Sequence, residues 1–192
     1  MTEICVLTKD SFEIVKEKLK NSDFQHVESY NNHDIYFTTI SQDLKTNDYS
    51  QLIEKSILIR GVKGVDFEKK YIIYKKKSFD KNGNVIDEVK TKLQIDDIEK
   101  AKTIFQNLGL VCWCDYVVNN NEFKKDEIVV NVQDVDALGT FVEIEEYESI
   151  KNKSDEEKFN ILKDAISSMD IQIFSDYSCK KPFMMLNHFE NK

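Results

Sequence analysis

Eight short runs of alternating apolar and polar residues constrain the fold of this chain more than any other feature. They are EICVLT (3–8), DIYFTT (34–39), KSILIRGV (55–62), KYIIYKK (70–76), NVIDEVKTKLQI (84–95), LVCWCDYVV (110–118), DEIVVNVQ (126–133) and FVEIEEY (141–147). A period of two sends alternate side chains to opposite faces, so each run predicts a strand. The turns suit antiparallel pairing: Asn82-Gly83 in DKNGNV is a strong hairpin signal, and NNNEFKKDE (119–127) reads as a polar link. Three helix patterns interrupt the strands, each opened by a capping residue, Asp10, Asp96 and Ser154, and the second stops at Gly109. A strand, a helix and several more strands follow one another from about residue 3 and again from about residue 84. The pattern predicts an α+β fold: a closed or nearly closed eight-stranded antiparallel β-barrel with helices packed outside.

At 192 residues the chain is long enough for one sizeable core and short for two, and its five Gly and one Pro mark no internal boundary. Residues 1–192 are therefore expected to form a single domain. No apolar run approaches the roughly 20 residues of a membrane helix, and MTEICVLTKDSFEIV lacks the regions of a secretion signal, so a cytoplasmic protein without a membrane partner is expected. A net charge of −8 argues against nucleic acid as a partner but leaves room for a small anion in a local basic pocket. Cys5, Cys112, Cys114 and Cys179 lack paired CxxC spacing and read as reduced, partly buried thiols. Neither GxxxxGK[ST] nor GxGxxG occurs, and the three histidines show no HExxH spacing. Any chemistry must use carboxylates with Lys and Arg.

Those residue types sit on strands. Glu143 and Glu145 share one face of FVEIEEY; Arg60 lies inside SILIRGV, Lys75 ends YIIYK, and Glu88, Lys90 and Lys92 alternate in DEVKTKL. On an ordinary antiparallel sheet such residues form the solvent face. If helices cover the outside of a barrel, they point inward instead. An interior of both signs can hold a divalent cation on carboxylates and phosphate oxygens on Lys and Arg. The direction of Lys90 and Lys92 depends on a strand register that sequence leaves open. His33, before DIYF, reads as a strand-edge surface residue, and Trp113 as a core aromatic.

From Glu3 to about Leu186 the order of motifs resembles the CYTH or triphosphate tunnel metalloenzyme family, which includes class IV adenylyl cyclases, thiamine triphosphatases and inorganic triphosphatases. DIYF resembles its D-x-Y-F strand, SILIR its L-x-R strand, YIIYK the strand delivering a phosphate-binding lysine, and QIDDIEKAKTIFQNLGL a helix ending in L-G-F. VQDVDALGTFVEIE (132–145) resembles the block D-x-V-x-x-L-G-x-F-x-E-I-E and is the most specific of these matches, while KKPFMMLNHF (180–189) resembles the closing element, whose Phe183, Met185 and Leu186 read as packing.

The resemblance implies a tunnel in which Glu3, Glu143 and Glu145 bind Mg²⁺ or Mn²⁺ while Arg60 and Lys75 hold a triphosphate such as ATP. Glu88, Lys90 and Lys92 fall on its substrate-binding strand, and a homodimer is compatible with the resemblance. The single arginine of ILIR leans toward a cyclase. The chain also departs from the family pattern. Met1 and Cys5 stand at the first Glu and the Lys of E-x-E-x-K, and Val118, Asn120 and Phe123 stand at K-x-R-x-x-Y. Gln133 replaces an Asp, and R-x-E-x-E reads Ile86, Glu88 and Lys90. Two functions follow: a metal-dependent enzyme on a triphosphate, either an adenylyl cyclase or a triphosphatase, or a non-catalytic tunnel that binds an anionic small molecule or a protein.

Overall fold

The computed structural model describes residues 2–40, 44, 49–79 and 85–189. Its strands are β1 (Glu3–Leu7), β2 (Gln25–Thr38), β3 (Ser56–Lys63), β4 (Glu68–Phe79), β5 (Val85–Ile95), β6 (Val111–Lys125), β7 (Ile128–Val135) and β8 (Gly139–Glu145). Its helices are α1 (Phe12–Asn21), α2 (Tyr49–Glu54), α3 (Ile98–Asn107), α4 (Asp155–Ser167) and α5 (Lys181–Phe189). All eight expected strands form and join one antiparallel sheet in the order β1-β8-β7-β6-β2-β3-β4-β5. Among the described residues none of these helices is long and apolar enough to cross a membrane.

The sheet curls without closing. Cys5 of β1, Phe141 of β8, Tyr36 of β2, Leu58 of β3 and Ile73 of β4 meet in one buried cluster, which requires both flanks to bend toward each other. Among the described residues, however, no pairing joins β1 to β5, so the expected barrel is not closed by hydrogen bonds. The reason lies at β1. Its outer edge is already used by the returning chain: Phe174 N donates to Leu7 O at 3.0 Å, Cys5 N to Tyr177 O at 3.2 Å and Cys179 N to Cys5 O at 3.0 Å. An edge strand covered in this way has no ladder left to offer another strand.

Alternation sorts the rest. On the convex face α1 and α4 pack Val15, Leu19, Leu162 and Ile166 against Ile4, Val6, Val130, Val132, Val142 and Ile144. Farther along, α3 places Ala101 and Phe105 over Ile35, Phe37 and Ile59. With the apolar positions committed to these helices, the intervening residues face the concave side. There, α2 and α5 seal one end of the hollow with Leu52, Ile53, Met185 and Leu186, which bears out the packing role expected of the C-terminal segment.

Local signals hold in kind and shift in detail. Ser154 makes a full capping box with Glu157, and Gly109 adopts φ +83° after α3. Asp97, not Asp96, caps α3 by accepting from Lys100 N at 3.1 Å. Ser11 stands at the N-cap of α1, while Asp10 accepts instead from Lys18 and from Gln172 N, both at 2.8 Å. The segment NNNEFKKDE is mostly strand: β6 runs to Lys125 and turns at Asp126, with φ +54°. Asn82-Gly83 lies outside the described residues.

Phe37 is fully buried and meets Phe105 edge-on at 5.4 Å between ring centres. Phe37→Ala is expected to lower stability by about 3–5 kcal/mol through lost burial and a residual cavity, read as a lower urea midpoint with an unchanged m-value.

Candidate functional site

Below the apolar plug, the concave face opens into a cavity of about 760 Å³ that continues into a lobe of about 370 Å³. Volumes of this order suit a small molecule. Tyr30, Asn32, Arg60, Lys75 and Lys90 line both parts.

One wall is acidic. The β1–β8 register sets Glu3 opposite Glu145 and Cys5 opposite Glu143, so Glu3, Glu143 and Glu145 converge from two strands. One carboxylate oxygen from each lies within 4.8 Å of the others. Three hard oxygen donors at that spacing fit Mg²⁺ or Mn²⁺. Glu143 is also held by an ammonium: Lys181 Nζ donates to its Oε2 at 2.6 Å, to Gln133 Oε1 at 2.5 Å and toward Cys5 Sγ at 3.6 Å. Burial opposes the charge on Glu143, yet Lys181, with Lys75 and Arg60 farther off, lowers its pKa from 4.5 to about 2. Burial likewise opposes the charge on Lys181, but the Glu143 carboxylate raises its pKa above the ordinary lysine value. Burial pushes the Cys5 thiol up to about 12, so it is a neutral neighbour.

The opposite wall is basic. The β4–β5 register sets Lys75 against Lys90 and Ile73 against Lys92, which answers the question left open by sequence: Lys90 and Lys92 join the cavity face. Lys92 Nζ lies 3.6 Å from the centre of the Tyr71 ring, a cation–π contact. Glu88 pairs through its backbone with Lys77; its side chain lies outside the described residues.

Between the walls, β2, β3 and β6 form the floor. Arg60 makes a two-pronged ion pair with Asp34, Nε to Oδ1 at 2.6 Å and an amino nitrogen to Oδ2 at 2.5 Å. Asp34 is only 1% exposed, and its carboxylate outweighs the burial that opposes the guanidinium charge, raising the Arg60 pKa. Burial, with Tyr36 and Asp34 nearby, raises Tyr116 well above 10, so it stays a phenol, its ring parallel to that of Tyr36 at 6.4 Å. Asn120 donates to Val118 O at 3.1 Å and accepts from Asn131 Nδ2 at 3.1 Å. Asn120 is thus satisfied by neutral neighbours at a position where the family pattern has a basic residue. Asn32 Oδ1 and Asn131 Oδ1 are buried acceptors without a hydrogen-bond partner in this wall.

Glu3, Arg60, Lys75, Lys90, Glu143 and Glu145 therefore share one cavity, and Lys92 lines its second lobe. Lys181 is the contributor that the sequence reading missed. A helix start at Lys181 was legible, since Pro182, favoured in a first helical turn, opens a run with helical apolar spacing, but nothing in the spacing reports the meeting of Lys181 with Glu143. His33 and Trp113 behave as expected, His33 pairing with Asp115 at 2.7 Å on the surface and Trp113 donating to Ser56 Oγ at 3.0 Å in the core.

The described residues thus form a helix-wrapped antiparallel sheet whose hollow carries carboxylates on one wall and lysines on the other. The CYTH domain profile matches residues 2–172, and the chain belongs to the CYTH domain family. A Methanocaldococcus jannaschii protein provisionally named an adenylate cyclase is 32% identical over 178 residues, covering 91% of this chain and 94% of its own. Among solved structures, the PH1819 protein of Pyrococcus horikoshii superposes with a TM-score of 0.74 at 18% identity, covering 100% of this chain and 99% of its own. A provisionally named adenylate cyclase of Vibrio parahaemolyticus gives 0.61 at 14% identity, with 97% of each chain covered. At these identities the two structures share the fold.

Because Glu143 titrates lower folded than unfolded, its ion pair contributes stability that is fully present above about pH 4.5 and is lost as pH falls toward 2. Urea melts of the wild type and of Glu143→Gln are expected to differ by a constant amount from pH 7 to pH 5 and to converge below pH 4.

Proposed function

We propose that the protein is a metal-dependent enzyme acting on a nucleoside triphosphate, most specifically converting ATP to cyclic AMP and pyrophosphate, with triphosphate hydrolysis as the simpler use of the same site. The observation that carries this reading is the meeting of Glu3, Glu143 and Glu145 with Arg60, Lys75 and Lys90 in one cavity. Family membership and the provisional naming of the archaeal relative support it.

The three glutamates would hold Mg²⁺ or Mn²⁺, which neutralises phosphate charge and favours loss of the ribose 3′-hydroxyl proton. Lys75, Lys90 and the outer edge of Arg60 bind phosphate oxygens and keep the chain extended toward the acidic wall. The 3′-oxygen would attack the α-phosphorus in line while its proton passes to solvent water, and the bond from the α-phosphorus to the oxygen bridging it to the β-phosphorus would break to release pyrophosphate.

A second reading, a non-catalytic tunnel that binds an anion, is favoured by the floor. Arg60 is committed to Asp34, and Val118 and Asn120 offer no charge. Turnover separates the two. The protein is incubated with Mg²⁺ or Mn²⁺ and ATP, thiamine triphosphate or tripolyphosphate, and the products are resolved. Cyclic AMP from ATP is expected; release of inorganic phosphate alone selects hydrolysis. Absence of both turnover and a thermal shift with all three would contradict the enzyme. Lys75→Met is expected to weaken triphosphate binding roughly ten- to hundredfold, as loss of one charge-assisted contact should.

A further inference from the structure

Lys181 reaches the acidic wall from outside the sheet. The chain before it is stitched along the open edge of β1, and the first turn of α5, with Pro182 as its second residue, aims the side chain between Cys5 and Glu143. The ammonium is a compact charge with three donors, and its hydrogen-bond partners are Glu143, Gln133 and the Cys5 thiol. The thiol is a weak acceptor and Gln133 a neutral one. The pairing with Glu143 is therefore what holds the side chain in place.

Glu143 also belongs to the carboxylate cluster. Its backbone pairs with Cys5, two residues along β8 from Glu145, and its oxygen lies within 4.8 Å of those of Glu3 and Glu145. A divalent ion placed among these three would stand within a few ångströms of the ammonium, and like charges so close in a half-buried wall repel strongly. The Lys181 side chain is 14% exposed and borders the larger cavity, so there is space for it to swing into.

We propose that Lys181 is a displaceable counter-ion of the carboxylate cluster: a divalent cation takes its place on Glu143, and the released ammonium turns into the cavity to become a ligand for the polyanion. The inference rests on the metal and triphosphate reading above and adds a coupling to it. Cation and anion each remove the obstacle to the other, and by linkage the assistance is equal in both directions. The site then discriminates in favour of the cation and polyanion together over either alone.

Two separate titrations by calorimetry test this, Mn²⁺ alone and inorganic tripolyphosphate alone, on the wild type and on Lys181→Met. The variant is expected to bind Mn²⁺ roughly tenfold more tightly, through loss of a competing charge, and tripolyphosphate roughly tenfold more weakly, through loss of a phosphate ligand. Changes of opposite sign are not what a damaged wall produces, since damage weakens both. Unchanged or weaker Mn²⁺ binding in the variant overturns the inference while leaving the metal reading standing. Failure of Mn²⁺ to bind either protein overturns both. If circular dichroism shows that Lys181→Met does not fold, Lys181→Gln, which retains a polar group beside Glu143, is titrated in its place, with the same shifts expected and the same results overturning the inference.

Discussion

Successive residues of a strand point to opposite faces, and in this sheet the convex face is taken by helices. Once α1, α4 and α3 cover Ile4, Val142, Ile144, Ile35 and Ile59, the residues between them have one place to go. Glu3, Asp34, Arg60, Lys75, Glu143 and Glu145 are therefore delivered to the hollow by the same alternation that builds the core. Site and core are two readings of one periodicity. A one-residue slip in any pairing would exchange them, so the register is strongly specified.

Charges gathered in this way must be balanced locally, because a half-closed wall screens them poorly. The structure does so by pairing across elements. Asp34 on β2 answers Arg60 on β3, and Lys181 on α5 answers Glu143 on β8. The net result is a bipolar hollow, acidic where β1 and β8 meet and basic along β4 and β5, with a neutral floor of Asn120, Val118 and Tyr116 between. A ligand that spans it needs a cationic end and an anionic end, as a metal-bound phosphate chain has.

Much of this was legible in the sequence because alternation is a local property. The eight strands and the shared face of Glu143 and Glu145 follow from spacing, whereas spacing alone left Arg60 and Lys75 facing either solvent or the hollow, and only the resemblance turned them inward. What escaped was set by longer range. The polar halves of β2 and β6, QHVESYNN and NNNEFKK, carry little apolar pattern and become strand because they pair with each other over their full length. Barrel closure could not be read because it depends on the chain at 172–179 occupying the edge of β1. Lys181 escaped for the same reason: residue 181 and residue 143 meet only once that segment has been laid down, and no spacing in the sequence reports it.

The central claim is that the two walls act together on one ligand. Anomalous X-ray scattering from Mn²⁺ in crystals grown with tripolyphosphate tests it most directly, since it locates the ion without reference to activity. A peak bound by Glu3, Glu143 and Glu145, with the phosphate chain running from it to Lys75 and Lys90, is the predicted result. A chain bound at the basic wall with no ion among the three glutamates, or an ion bound elsewhere, would contradict the account.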